Sequence, residues 1–233
     1  MIRVHVICEG QTEEMFVSEL LLAVFLSRGI QLVPALVGKP GHKGGRFKFE
    51  RLQADVKNRL LGDRGAYCTT FFDYYGLPES FPGKQSQPSH ADIRTKAEAV
   101  QQAMTVELRR LIGEAPMRRF IPFVQMYEFE ALLFSDPAAF SKGVDRAHLA
   151  HDLTQIASKF PSPEHINNSP ITAPSKRIEG LIPDYQKPLM GTLGAIEVGL
   201  NAMRKSCCLF DGWLKRLEML AVPSEKKQSS QAY

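Results

Sequence analysis

The sequence predicts an α/β protein, with a mostly parallel sheet covered by helices on both faces and a helical extension after it. Three observations carry this. Four short runs, at 2–8, 31–37, 66–72 and 120–126, are rich in β-branched and aromatic residues and have the length of core strands. The segments between them space their apolar residues helically, as in Phe16, Leu20 and Val24 or Leu52, Val56 and Leu60. Strand–helix alternation then requires crossovers, and crossovers make parallel sheets.

Each element has a local reason. Residues 2–8 alternate in polarity and end on Glu9-Gly10. A helix opens at Gln11 or Thr12 and runs to about Gly29, with Glu13 and Glu14 in its first turn, where the dipole favours negative charge. They read as dipole partners rather than ligands. Pro34 marks the second strand as an edge or bulged strand. The stretch KPGHKGGRFK, 39–48, is a glycine-rich basic loop, and a helix follows from Phe49 to Leu61. The third strand, 66–72, leads into Asp73-Tyr74-Tyr75-Gly76, and a long amphipathic helix spans 91–112. After the fourth strand, 128–134 reads as a short helix or turn, and Asp136 before Pro137 as the N-cap of the next helix. Helical pieces are expected at 144–160, 174–181 and 192–220, with Cys207 and Cys208 as plain helix residues. The expected organisation is a core over 1–137, a helical extension packed on it over 138–222, and a disordered polar tail over 223–233.

Composition narrows the classes. With 44% hydrophobic and 23% charged residues in 233, the chain can bury a core unaided. No apolar run is long enough for a membrane span, and the first residues lack the pattern of a signal peptide. Four cysteines without a CxxC pair argue against a disulfide framework or a zinc site and fit a reducing cytoplasm. The net charge of +4 permits a polyanionic partner without requiring one. No GxSxG elbow, HExxH or P-loop is present.

The acids follow the strands. Glu9 ends the first, Asp73 the third, and Glu128 and Glu130 follow the fourth. Parallel strands put their carboxyl ends on one edge, where ligands bind. Taken singly, each acid also reads as a solvated strand end. Taken together they form a carboxylate cluster, which a divalent cation would relieve of like-charge repulsion. Mg²⁺ or Mn²⁺ at such an edge serves phosphoryl chemistry. Lys43 and Arg46 in the glycine-rich loop, with Lys176 and Lys187 further on, are candidate phosphate-binding residues. Tyr75 and Tyr185 are candidates for stacking on bases.

The opening ICEGQTEEMFV resembles the first motif of Toprim domains. More closely, VICEGQTEEMFV (6–17), GHKGG (41–45), FFDYYGLP (71–78), YEFEALLFSD (127–136), INNSPITAPSKRI (166–178) and IPDYQKPLMG (182–191) resemble the DUF4276 family of bacterial proteins, across nearly the whole chain. The resemblance implies a Toprim-like core related to nucleases of the OLD type. It implies Glu9 as general acid or base and Asp73 as the first aspartate of an Asp-x-Asp that holds Mg²⁺. The second aspartate is replaced here by Tyr75, so Glu128 or Glu130 is the expected substitute ligand. The resemblance also implies an ABC- or AAA-type ATPase partner in an anti-phage defence module.

The leading expectation is therefore a Mg²⁺-dependent nuclease acting on DNA or RNA. Glu9 and Asp73 would be catalytic and would hold the metal, with Glu128 and Glu130 as further ligands. The alternatives are a non-enzymatic adaptor that binds an ATPase through a degenerate Toprim site, and a binder of a nucleotide or small phosphate ester.

Overall fold

The computed structural model describes residues 1–38, 48–85, 91–167 and 169–221. The chain opens with β1 (Ile2–Cys8) and α1 (Gln11–Phe16), which continues through a π-helical turn, Val17–Leu21, into α2 (Leu22–Leu26). Next come β2 (Ile30–Leu36), α3 (Phe49–Gly62), β3 (Tyr67–Asp73), α4 (Ile93–Ile112) and α5 (Glu114–Met117). Two short strands follow, β4 (Phe120–Ile121) and β5 (Val124–Gln125), then a 3₁₀ segment, Phe129–Ser135. The rest is helical: α6 (Pro137–Gly143), α7 (Ala150–Ala157), α8 (Pro174–Leu181), α9 (Lys187–Val198), α10 (Leu200–Ser206) and α11 (Cys208–Glu218).

All strand pairs are parallel, in the order β2-β1-β3-β4, with β5 also beside β3. β2 is the edge strand, which explains how Pro34, lacking an N–H, is accommodated. The chain turns from β1 to β2 on one side and then crosses to β3 on the other. The order therefore reverses between β1 and β3, and a crevice opens at their carboxyl ends.

The fourth strand is not continuous over 120–126 as expected. Pro122 cannot donate to a ladder, so β4 and β5 pair with β3 on either side of a gap. Two buried threonines of β3 bridge that gap. Thr69 Oγ1 donates to the Ile121 carbonyl at 2.6 Å. Thr70 Oγ1 donates to the Phe123 carbonyl at 2.7 Å and accepts the Phe123 N–H at 3.0 Å.

Alternation along the strands divides the core into two layers. Val4, Val6, Cys8 and Phe71 face α1, α2 and the C-terminal helices through Phe16, Phe25, Phe210 and Trp213. Ile7, Cys68 and Phe72 face α3 and α4 through Leu52, Val56, Val100 and Met104. Trp213 stacks on Phe123 with ring centroids 4.5 Å apart, and its Nε1–H donates to Thr69 Oγ1 at 2.9 Å.

The single helix expected over 192–220 is three. Gly199 (φ 76°) breaks it between α9 and α10, and Cys207 stands in extended conformation between α10 and α11. Cys207 is thus a buried N-cap, not an interior helix residue, and Cys208 begins α11. Cys207 offers no capping oxygen, and the buried Glu164 supplies one from outside the helix. Its carboxylate accepts the Leu209 and Phe210 N–H groups at 3.0 and 2.9 Å. The helix expected over 144–160 is confined to α7 and a preceding 3₁₀ turn. Asp136 caps α6 as expected, accepting the Ala139 N–H at 3.0 Å. All four cysteines are free, and no helix among the described residues is long and apolar enough to cross a membrane. The expected tail over 223–233 lies outside the described residues.

Thr69 joins the broken strand to the helical layer. Thr69→Val should leave the Trp213 indole N–H buried without its acceptor and lower the unfolding free energy by about 1–3 kcal/mol. A urea titration that finds the same midpoint as wild type would contradict this role.

Candidate functional site

β1 ends at Cys8, and the next residue, Glu9, is carried to the crevice between β1 and β3. Its backbone N–H continues the ladder by donating to the Phe71 carbonyl at 3.1 Å. Its carboxylate turns across to β3, where Oε2 accepts the Asp73 N–H at 2.9 Å. The carboxylate lies against the Gly76 backbone, so close that a Cβ at position 76 would stand 1.8 Å from Glu9 Oε1. Gly76 is required by that contact.

Gly10 then caps α1. Glu13, in the first turn, folds back so that its Oε2 accepts the Gly10 N–H at 2.8 Å, the return half of a capping box. Its position in the first turn predicts no more than a dipole partner. In the fold it is 5% exposed and stands beside Glu9, a carboxylate of the same cluster.

Tyr127 holds φ 63°, a left-handed conformation costly for a bulky side chain, and its carbonyl accepts the Tyr75 N–H at 3.0 Å. This turn sends Glu128 and Glu130 back over the same edge. Glu128 Oε2 accepts the Ser175 N–H at 2.8 Å, at the N-terminus of α8. Glu130 is 1% exposed, and Lys187 Nζ, from the first residue of α9, stands 3.4 Å from its Oε1 and 3.9 Å from Glu128 Oε1.

The electrostatics follow from burial of like charges. Burial, opposed by the Asp73 N–H bond, pushes the Glu9 carboxyl up to about 7. Burial and the Glu9 charge do the same for Glu13, and burial pushes Glu130 up to about 7 against the pull of Lys187. Burial raises the Asp73 carboxyl well above its ordinary value, with Glu13, Glu9, Glu130 and Glu128 adding to the effect. Burial works against the Lys187 ammonium, but Glu130, Glu128 and Asp73 hold it above its usual value. Lys84, with an 8% exposed side chain, lies 5.2 Å over the Tyr74 ring and donates to the Leu77 carbonyl; burial lowers its pKa. A cleft of about 350 Å³, lined by Tyr74, Tyr75, Glu79, Lys84, Glu128 and Ala173, opens at this edge.

The fold therefore brings together Glu9, Asp73, Glu128, Glu130 and Lys187, and adds Glu13 and Lys84. Tyr75 lines the cleft, tilted against Tyr127 and bonded to the Asn167 side chain. Tyr185 packs edge-on to Phe140, and its buried hydroxyl lies against Gly191, so its ring is a packing element and is not presented for stacking. Lys176 is an exposed residue of α8, ion-paired to Glu179 at 2.5 Å. Lys43 and Arg46, with the GHKGG stretch, lie outside the described residues.

The donor set is one of hard oxygens. Buried side-chain polar atoms without a hydrogen-bond partner concentrate here: Asp73 Oδ1, Gln125 Oε1, Glu130 Oε1, Ser175 Oγ and the Tyr185 hydroxyl. Among the described residues no three His, Cys, Asp or Glu side chains are spaced as a ready metal-ligand set.

The domain of unknown function DUF4276 matches residues 8–218, from the last residue of β1 to the last residue of α11. The chain belongs to the DUF4276 family. The family region thus contains every residue of the acidic edge. No curated protein and no solved structure matches the chain.

The cluster has a pH signature. Glu9, Glu13 and Glu130 hold protons in the folded state up to about 7, whereas an ordinary glutamate releases them near 4.5. The folded state then binds more protons than the unfolded one, so stability falls as pH rises from about 4.5 to 7. Metal-free protein should unfold at lower urea at pH 7.5 than at pH 5, and Glu130→Gln should flatten the slope. Gly76→Ala should drive the Glu9 carboxylate from its place at a cost of about 1–3 kcal/mol. Calorimetry would detect that loss.

Proposed function

We propose that the acidic edge of this DUF4276 protein binds Mg²⁺ or Mn²⁺ and that the protein is a phosphoryl-transfer enzyme, a Toprim-type nuclease acting on DNA or RNA. The observation that carries this reading is the meeting of Glu9 and Asp73 across the strand-order reversal, with Glu13, Glu128 and Glu130 around them. Like-charged carboxylates are stable together when a cation compensates them. Asp73, with an unbonded Oδ1, and one of its acidic neighbours would hold the ion. The bound ion would supply Lewis acidity at a phosphoryl oxygen and acidify a coordinated water.

The chain's own residues do the rest. Glu9 Oε2 is engaged by the Asp73 N–H, so the proton of an attacking water would pass to Oε1, the oxygen that stands beside Gly76. Its value of about 7 suits a general base at neutral pH. Lys187 and Lys84 both act electrostatically on Glu9 and would steady the phosphate charge as it develops. Tyr74 and Tyr75 in the cleft would receive a base by stacking.

The adaptor reading is favoured by a different feature. Leu189, Leu193 and Ile196 are about half exposed at helical spacing on α9, the helix that carries Lys187. Such a stripe fits a protein partner, and an ABC- or AAA-type ATPase is the partner that this reading proposes.

Mg²⁺ or Mn²⁺ that binds only the folded state should raise the melting temperature of wild type, and the rise should vanish in a Glu9→Gln, Asp73→Asn double variant. Cleavage of labelled DNA or RNA should need the ion and fall at least 100-fold in that variant. A wild-type protein that neither responds to the ions nor cuts either polymer would favour the adaptor.

A further inference from the structure

Gln125 is an unexpected residue to find fully buried in a parallel sheet. It is 0% exposed, ends β5, and stands in register opposite Asp73. Parallel neighbours lie about 4.8 Å apart and opposed residues point to the same face. The face is fixed by the flanking residues. Phe72 and Val124 pack in the layer of α3 and α4, whereas Phe71 and Phe123 pack beneath α1 and the C-terminal helices. Asp73 and Gln125 therefore share the second face, where Glu13 and Glu130 stand.

The Gln125 amide points its nitrogen at the backbone of the next residue. Its Nε2 donates to the Met126 carbonyl at 3.4 Å, and a carbonyl only accepts, so the reverse orientation would set oxygen against oxygen. Oε1 is thus left without a donor, as is Asp73 Oδ1 on the adjoining strand. Two buried oxygens without donors on opposed residues cost free energy unless a proton on the carboxyl or a cation meets them. Lys187 is engaged with Glu130 and Glu128. Hard divalent cations accept amide carbonyl oxygens alongside carboxylates.

We infer that Gln125 is a cation ligand, its Oε1 binding together with Asp73 Oδ1 the divalent ion of the acidic edge. The inference rests on the proposed metal site and adds to it a residue type outside the acidic set, held on a strand by the same register that places Asp73.

The test is calorimetric titration of the full chain with MnCl₂, wild type against Gln125→Met, Gln125→Glu and Asp73→Asn. Circular dichroism in metal-free buffer checks that each is folded. Gln125→Met keeps the volume but removes the ligand oxygen, and its affinity should fall at least 10-fold, while Gln125→Glu, which keeps an oxygen, should bind within a few-fold of wild type or tighter. If Gln125→Met does not fold, the Glu variant decides, since weaker binding by a folded Gln125→Glu overturns the inference. Binding lost in Asp73→Asn but unchanged in Gln125→Met would also overturn it, leaving the metal site intact. No Mn²⁺ binding by wild type would remove the metal site itself and Gln125 with it.

Discussion

The hydrogen bond from the Asp73 N–H to Glu9 Oε2 ties the end of β1 to the end of β3 at the point where the strand order reverses. Most of the edge depends on it. A carboxylate held there needs space, which Gly76 provides by carrying no Cβ. It also sets a negative charge in a poorly solvated crevice, and that charge acts on Glu13 and Asp73 in turn. A backbone N–H stabilises the charged form, and burial opposes it. The balance leaves the Glu9 carboxyl at about 7.

The helical part of the chain is bound into this arrangement. Trp213 reaches from α11 through the core to Thr69 and stacks on Phe123 at the interruption of the fourth strand. The threonine hydroxyls bond the Ile121 and Phe123 backbone groups on either side of Pro122, and beyond them β5 pairs with β3 so that Gln125 stands opposite Asp73. α9 begins with Lys187, the positive charge between Glu128 and Glu130. The charge balance of the edge therefore draws on residues nearly 180 positions apart, Glu9 and Lys187.

Among the described residues, one buried polar atom outside the edge, His5 Nε2, also lacks a partner, but the other fully buried glutamate is satisfied. Glu164 is as buried as Glu130, yet it accepts two N–H groups of α11 and caps it. That contrast separates a structural carboxylate from those of the edge, where Asp73 and Glu130 keep oxygens without hydrogen bonds. The unusual backbone of Tyr127 falls beside the same residues. The left-handed Tyr127 and most of the unpartnered buried polar atoms among the described residues thus fall at the acidic edge.

Local pattern alone sufficed for the strands β1, β2 and β3, the helices α3 and α4 and the placing of Glu9 and Asp73 at strand ends, while for Pro34 it left open an edge or a bulge that the strand order decided. These rest on local periodicity, which a chain displays before it folds. It misplaced what depends on distant contacts. Pro122 divides a strand only because the chain resumes pairing beyond it, supported by Thr69 and Thr70. Gly199 and Cys207 break an apparently continuous helix because the pieces fold back over the sheet, with Glu164 capping the last. Glu13 looked like an ordinary first-turn acid, and only the approach of β3 made it a member of the cluster. Gly76 stood in a family-like stretch with no role of its own, and Lys84 and Gln125 carried no motif. Their roles follow from strand order and register, and these are decided by packing between segments far apart in the chain, so no local pattern records them.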